Sequence, residues 1–348
     1  MSATVNQASR AALQRSEADE VLVTWLDYDL DAARTGGRLR AAGLRVRHEP
    51  NVGPRSREDL VAVSRAAVAA IVSTDRFDAA VLARTPVLRV IARVGVGTDS
   101  IDLDAATRAG VVVTVTPDAN RETTADHALA LMLAAMRRVV EHDASVREGR
   151  WERGASLTPW ELHSRTVGLV GYGGIGQAVA RRLKGFDVEL LVSDPVVQPD
   201  GVVFVALDEL LERADVVSLH APLSPATKGL IGARELSLLR PSAVLVNTAR
   251  GGLVDEPALT ARLSDGGLRA AALDVFADEP AVSRALRALP NVVLSPHVGG
   301  LSTRSVREMT EAATQHVLDV LSGHPDPGVV ANPDVLDREQ RNRPRSHT

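Results

Sequence analysis

Residues Thr166-Val-Gly-Leu-Val170-Gly171-Tyr-Gly173-Gly174-Ile175-Gly176 join a short apolar run to a glycine-rich turn, and helical spacing follows to Leu183. The pattern G-x-G-x-x-G is weak alone, because glycine turns are common. Between a strand and a helix it has a mechanism. Gly171 permits the tight turn, Gly173 lets the backbone approach a pyrophosphate, and Gly176 lets helix and strand pack closely. The phosphates then face the helix N-terminus. Asp194 ends the next apolar run, about 20 residues past the glycines, where an acid accepts hydrogen bonds from ribose hydroxyls. Ser193 and Pro195 flank it, with no Arg beside it to take a 2′-phosphate, so the pattern points to NAD rather than NADP.

Outward from this turn, β-α alternation fills both halves of the chain. Runs rich in Val, Ile and Leu at 21–26, 44–49, 68–74, 88–94 and 111–116 are short enough for strands. Between them lie helical patterns at 31–42, 56–66, 77–84 and 104–109, with starts at Ser56 and Asp104. A long helix is expected from about Thr123 to Glu148, ended by Gly149. Strands are then expected at 166–170, 188–194, 215–220, 243–249, 269–275 and 291–297. A last helix from Thr303 carries Val306, Met309, Ala313, Val317 and Val320 on one face and stops at Gly323. Apolar strands alternating with helices imply parallel sheets covered on both faces.

Composition narrows the function classes. The chain has 348 residues, enough for about two domains of ~100–200 residues each. Without cysteine there is no disulfide scaffold, thiolate metal site or thiol nucleophile. A net charge of −4, with four Phe, three Trp and two Tyr, offers nucleic acid neither a basic footprint nor a stacking platform. The longest apolar run, 128–136, is far short of the ~20 residues that span a bilayer, and residues 1–20 lack a secretory apolar core. A cytoplasmic protein with no membrane partner is expected. The histidines form no H-E-x-x-H and none pair at i, i+4, so no metal is expected; no G-x-S-x-G suggests a serine hydrolase.

Three later segments carry polar residues just beyond apolar runs: Asn247-Thr-Ala-Arg250-Gly-Gly, Asp274-Val-Phe-Ala-Asp-Glu279-Pro and Ser295-Pro-His297-Val-Gly-Gly300. In an open parallel sheet, ligands bind outside the carboxyl ends of the strands. An arginine, a glutamate and a histidine on one rim suit hydride transfer to a 2-oxo acid. The guanidinium binds the carboxylate, the imidazole moves the carbonyl oxygen's proton, and the carboxylate orients the ring and favours its charged form.

The segments Asn247-Thr-Ala-Arg-Gly-Gly-Leu-Val-Asp-Glu256, Ala272-Leu-Asp-Val-Phe276 and Ser295-Pro-His297 resemble signatures of the D-isomer-specific 2-hydroxyacid dehydrogenase family. The resemblance covers roughly Leu88 to Arg307. It implies an α/β chain of two doubly wound parallel-sheet domains. A Rossmann NAD-binding domain, residues 118–299, is inserted into a flavodoxin-like substrate domain, residues 17–117 and 300–330, with flexible tails at 1–16 and 331–348. It implies Arg250 as carboxylate clamp, Glu279 as the partner of His297, and His297 as acid/base. NAD contacts are implied at Gly171, Gly173, Gly174, Ile175, Gly176, Asp194, Ala221, Thr248, Ala249, Arg250, Asp274, His297 and Gly299. Arg93, Val94, Gly95 and Val96 look like part of the substrate loop, whose backbone N–H groups hold the carboxylate together with Arg250 and His297. Members are commonly homodimers. His127 is expected to serve helix packing or the subunit interface.

The region from Thr123 to Arg153 resembles the phosphoglycerate dehydrogenase branch. Where many of that branch carry Val-Arg-Ser or Ile-Arg-Ser, with the Arg helping to bind a substrate phosphate, this chain reads Ile71-Val72-Ser73. The chain also ends before the position of the regulatory domain some relatives append. The expected substrate is therefore a small 2-oxo acid such as glyoxylate or hydroxypyruvate. Two alternatives stay open: a phosphorylated or phosphonate-bearing acid, and a non-catalytic NADH-sensing module like the corepressor relatives.

Overall fold

The computed structural model describes residues 19–53, 55–154, 158–198 and 201–337, so the tail expected at 1–16, and the 338–348 part of the tail expected at 331–348, lie outside it. The chain forms two compact units, residues 1–119 with 303–348 and residues 120–302. In the first, β1 (Glu20–Val23), β2 (Arg45–His48), β3 (Ala67–Val72), β4 (Val90–Arg93) and β5 (Val112–Thr114) pair in the order β2-β1-β3-β4-β5. All pairs are parallel, which is the flavodoxin-like order. The helix Thr303–Ser322 covers one face, packing Met309, Ala313, Val317 and Val320 against Val21, Ile71 and Val90. Leu60, Val81, Leu82 and Ala106 cover the other, against Leu22, Ala70 and Ile91. Both faces are apolar because both are buried.

The second unit holds β6 (Thr166–Val170), β7 (Glu189–Ser193), β8 (Val203–Phe204), β9 (Val216–Leu219), β10 (Val244–Asn247), β11 (Ala270–Leu273) and β12 (Val292–Leu294). Their order is β12-β11-β10-β9-β6-β7-β8, again all parallel. This is the dinucleotide-binding winding with one strand added, and the order reverses between β6 and β9. The helices Arg121–Arg137 and Gly174–Leu183 bury Ala125, Ala128, Met132, Ala178 and Val179 on one face. Leu210, Leu236, Leu259 and Leu263 bury the other.

Four details depart from the sequence reading. The edge strand β8 was not foreseen, since two residues carry no periodicity. The long helix expected to Glu148 breaks at Arg138, which adopts φ 52°, and a second helix runs Val139–Arg147. The break lets the Met136 carbonyl accept the Trp160 amide at 2.9 Å. Of the helix expected at 31–42, only Gly36–Ala41 forms, because Asp29 Oδ1 accepts the Asp31 and Ala32 amides and folds a turn there. Asp102, rather than Asp104, caps the helix Leu103–Ala109 by accepting the Ala105 amide at 2.8 Å. Ser56 caps Arg57–Ser64 as expected.

A further departure concerns the C-terminal tail, expected to be loose from residue 331. Val115 donates to Val329 O and Ala331 to Val113 O, so residues 329–332 shield the open edge of β5. Asn332 is buried; it accepts the Val113 amide at 2.9 Å and donates to Val111 O at 2.9 Å and Thr107 Oγ1 at 3.1 Å. Val335 is fully buried in the core of the same unit. Asn332→Ala strands a buried amide and carbonyl, so urea unfolding followed by circular dichroism should show a loss of about 1–3 kcal/mol.

Candidate active site

The glycine turn leaves β6 where the strand order reverses. Gly171 has φ +96°, and a Cβ there would lie 2.7 Å from the Ala221 amide nitrogen and the His220 carbonyl carbon beyond β9. A Cβ on Gly176 would lie 2.4 Å from Gly171 O. The two glycines therefore let the turn, the end of β9 and the first helical turn close on one another. Gly173 is the N-cap of Gly174–Leu183, so the first helical amides begin at this turn. Ile175 packs at the margin of the core beneath. A cradle of backbone at a helix N-terminus, walled by glycines, fits the pyrophosphate of a dinucleotide. Burial pushes the neighbouring His220 imidazole down to about 4, so it is neutral at pH 7.

Asp194 follows β7, the strand beside β6. Its Oδ2 accepts the Tyr172 amide of the glycine turn at 2.7 Å, and its Oδ1 accepts those of Val196 and Val197, each at 2.8 Å. Burial raises its pKa, but the three amides outweigh that and hold the carboxyl below the usual range. A fixed anion thus stands beside the turn, where the sequence expects the ribose acceptor.

The three polar segments leave neighbouring strands at one edge of the sheet. Asn247, Leu273 and Leu294 are aligned across β10, β11 and β12, so residues just beyond them share a rim. Asn247 shapes the first turn: its Oδ1 accepts the Ala249 amide at 3.0 Å and its Nδ2 donates to Arg250 O at 2.9 Å. Thr248 is buried there, and Arg250 Nη1 donates to Ala249 O at 2.7 Å. Gly251 must be glycine, since a Cβ would lie 1.9 Å from the Phe276 carbonyl carbon. That approach seats the Arg250 turn on the loop carrying Glu279.

Glu279 and His297 meet. Glu279 Oε1 accepts the Phe276 amide at 3.0 Å, and Oε2 lies 2.7 Å from His297 Nδ1. A proton on Nδ1 satisfies that contact and leaves Nε2 as the ring's exchangeable nitrogen. His297 adopts φ 54°, a left-handed conformation uncommon for a residue with a side chain. Its amide donates to Asp274 O at 2.8 Å.

Asp274 is 1% exposed and wraps this loop. Its Oδ1 accepts Ser295 Oγ at 2.6 Å and the Val298 amide at 2.9 Å, and its Oδ2 accepts the Gly299 amide at 2.7 Å. His127 Nε2 lies 2.9 Å from Ser295 Oγ and 3.3 Å from Asp274 Oδ1. Burial raises the Asp274 pKa, while these side chains and amides outweigh it and keep the carboxyl ionised. His127, read from the sequence as a packing or interface residue, joins this group. A lone helical histidine gives no linear signal of a partner about 170 residues away.

The expected substrate loop lies in the first unit, after β4. Val94 donates its amide to Val72 O at 2.8 Å, and Gly95 donates to Thr116 Oγ1 at 2.9 Å. Both amides, expected to hold a carboxylate, are thus committed within the fold. Arg93 is nearly buried; Nε donates to Gly97 O at 2.8 Å and Nη1 to Val94 O at 3.2 Å. The guanidinium braces the loop from beneath, while Val96 at its tip is exposed. Val72, where a phosphate-binding Arg would stand, is fully buried. Among the described residues no cluster of three or more side chains could hold a metal ion, and no helix is long and apolar enough to cross a membrane.

Comparison with known proteins fits this architecture. Residues 129–299 match the profile of the D-isomer specific 2-hydroxyacid dehydrogenase NAD binding domain. The chain is 42% identical over 283 residues to the D-3-phosphoglycerate dehydrogenase of Mycobacterium tuberculosis, covering 80% of this chain and 53% of that protein. It thus spans about half the length of its mycobacterial relatives. It is 40% identical over 276 residues to the glyoxylate reductase of Thermococcus litoralis, covering 76% of this chain and 82% of that one. Among solved structures, the NADPH-dependent glyoxylate/hydroxypyruvate reductase of Sinorhizobium meliloti, in complex with NADP and malonate, is 32% identical. Its TM-score is 0.80, and the match covers 91% of this chain and 98% of that one. On these matches the chain belongs to the D-isomer-specific 2-hydroxyacid dehydrogenase family.

Proposed function

We propose that this protein is an NAD-dependent oxidoreductase that interconverts a small 2-oxo acid, of the glyoxylate or hydroxypyruvate type, and its D-2-hydroxy acid. The observation that carries this reading is the 2.7 Å contact between His297 Nδ1 and Glu279 Oε2, on the rim of the sheet that bears the glycine turn. Gly171, Gly173, Gly174 and Gly176 would hold the pyrophosphate, Asp194 the ribose, and Ala221, Thr248 and Ala249 the nicotinamide half. When bound, the dinucleotide supplies or accepts the hydride at the substrate's C2. Arg250 pairs with the substrate carboxylate through its planar fork. In the reducing direction His297 Nε2 gives its proton to the carbonyl oxygen and recovers it from solvent; in the oxidising direction it takes the hydroxyl proton. Glu279 accepts a hydrogen bond from Nδ1 and so fixes which nitrogen faces the substrate.

A small, unphosphorylated substrate is supported by the first unit's own charges. Val72 offers none, Arg93 is turned onto its own loop, and Arg55 is held by Asp75 through two 3.2 Å contacts. NADH oxidation should therefore be fastest with glyoxylate or hydroxypyruvate and slow with 3-phosphohydroxypyruvate. His297→Asn should lower kcat about 10²–10⁴-fold while NADH still binds. Tight NADH binding without turnover of any oxo acid would instead identify an NADH-sensing module.

NAD is favoured over NADP because the ionised Asp194 opposes a 2′-phosphate. Asp194→Ala should shrink the NADH-over-NADPH preference in kcat/KM by about 10-fold or more.

Two copies are proposed to associate through the helix Val139–Arg147 and the segment after it. Val139, Val140, Val146 and Trp151 are each more than half exposed there. Light scattering should show a dimer, and Val140→Asp with Trp151→Asp should convert it to monomer.

A further inference from the structure

We infer that His127 and Ser295 are positioning residues for His297, acting through Asp274; this rests on the role proposed for His297. Ser295 gives its only hydroxyl proton to Asp274 Oδ1 at 2.6 Å, so at 2.9 Å it accepts from His127 Nε2–H. The direction of the chain is thereby fixed: His127 donates to Ser295, Ser295 to Asp274. Asp274 in turn holds three consecutive residues of the catalytic loop: its carboxylate accepts the Val298 and Gly299 amides, and its backbone carbonyl accepts that of His297. Those bonds impose the left-handed backbone from which the His297 ring reaches Glu279.

The chain has a second anchor. His127 sits in the second turn of the helix Arg121–Arg137, whose first residues also grip the far end of this loop. Thr123 Oγ1 lies 3.1 Å from Ser302 Oγ, and a Cβ on Gly299 would lie 2.7 Å from Asp274 Oδ2 and 3.1 Å from His127 Cδ2. The ring, the carboxylate and the loop backbone therefore fill one another's space. A buried carboxylate stripped of Ser295 and His127 keeps its two amides but loses the side chains that fix its rotamer. The imidazole of His297 is then less often placed for proton transfer, although every group that touches substrate or cofactor remains.

The test pairs disabling with conservative variants. Ser295→Ala and His127→Phe should each lower kcat about 10-fold or more, a loss of placement rather than of binding. KM for the oxo acid and Kd for NADH should stay within about 2-fold of wild type. Ser295→Thr and His127→Gln, which keep the donors, should recover most of kcat. Unchanged kcat in both disabling variants overturns the inference, as does a loss that Thr and Gln fail to recover. Exchange of the Val298 and Gly299 amides, followed by NMR, reads the same chain without catalysis. Faster exchange in Ser295→Ala and His127→Phe supports the positioning even if no oxo acid is turned over by the wild type, an outcome that would sink only the substrate reading. Unaltered exchange in both overturns the positioning itself.

Discussion

The parallel register of β10, β11 and β12 is the constraint on which the rest depends. Asn247, Leu273 and Leu294 stand side by side because each strand pairs in the same direction with its neighbour. Parallel strands need long crossovers, so residues at their ends come from remote stretches of sequence yet emerge together. Arg250, Glu279 and His297 each leave the sheet within a few residues of that aligned row. The glycine turn leaves the same sheet on the other side of β9. The glycine turn and the Glu279–His297 pair thus share one edge, with no loop having to travel far.

Two carboxylates at that edge are kept ionised by donors that outweigh burial. At Asp194 these are three backbone amides; at Asp274 they are first the His127 and Ser295 side chains and then two amides. The purposes differ. Asp194 accepts amides on both sides of a turn and so carries its charge rigidly beside the glycine loop. Asp274 directs its acceptors at one loop and holds the backbone of His297. In both cases a charge that would be expensive alone becomes the thing that shapes the chain around it.

What was legible in the sequence follows from the range of the interactions. Strands buried on both faces announce themselves by continuous Val, Ile and Leu, and the glycine turn by its place between such a strand and a helix. The pairing of His297 with Glu279 was suggested by their places beyond neighbouring apolar runs and specified by the resemblance, because spacing along the chain alone does not say which side chains meet. The break at Arg138 depends on the Trp160 amide reaching Met136, and no local propensity records it. The packing of residues 331–337 was hidden for a similar reason. A stretch rich in Pro and Asp looks loose until Asn332 is seen to complete the β5 edge.

The left-handed backbone at His297 shows what it takes to keep that ring on Glu279. A residue with a Cβ meets a steric penalty there, which persists only when its surroundings over-determine it. Here the surroundings are one aspartate: its carbonyl takes the amide of His297, and its carboxylate takes those of the next two residues. Glycine at 297 would relieve the strain and remove the imidazole. An extended conformation would keep the imidazole and turn the backbone away from these bonds. The fold accepts a local cost to aim one ring at Glu279, and Asp274 is buried because it must hold that aim from beneath.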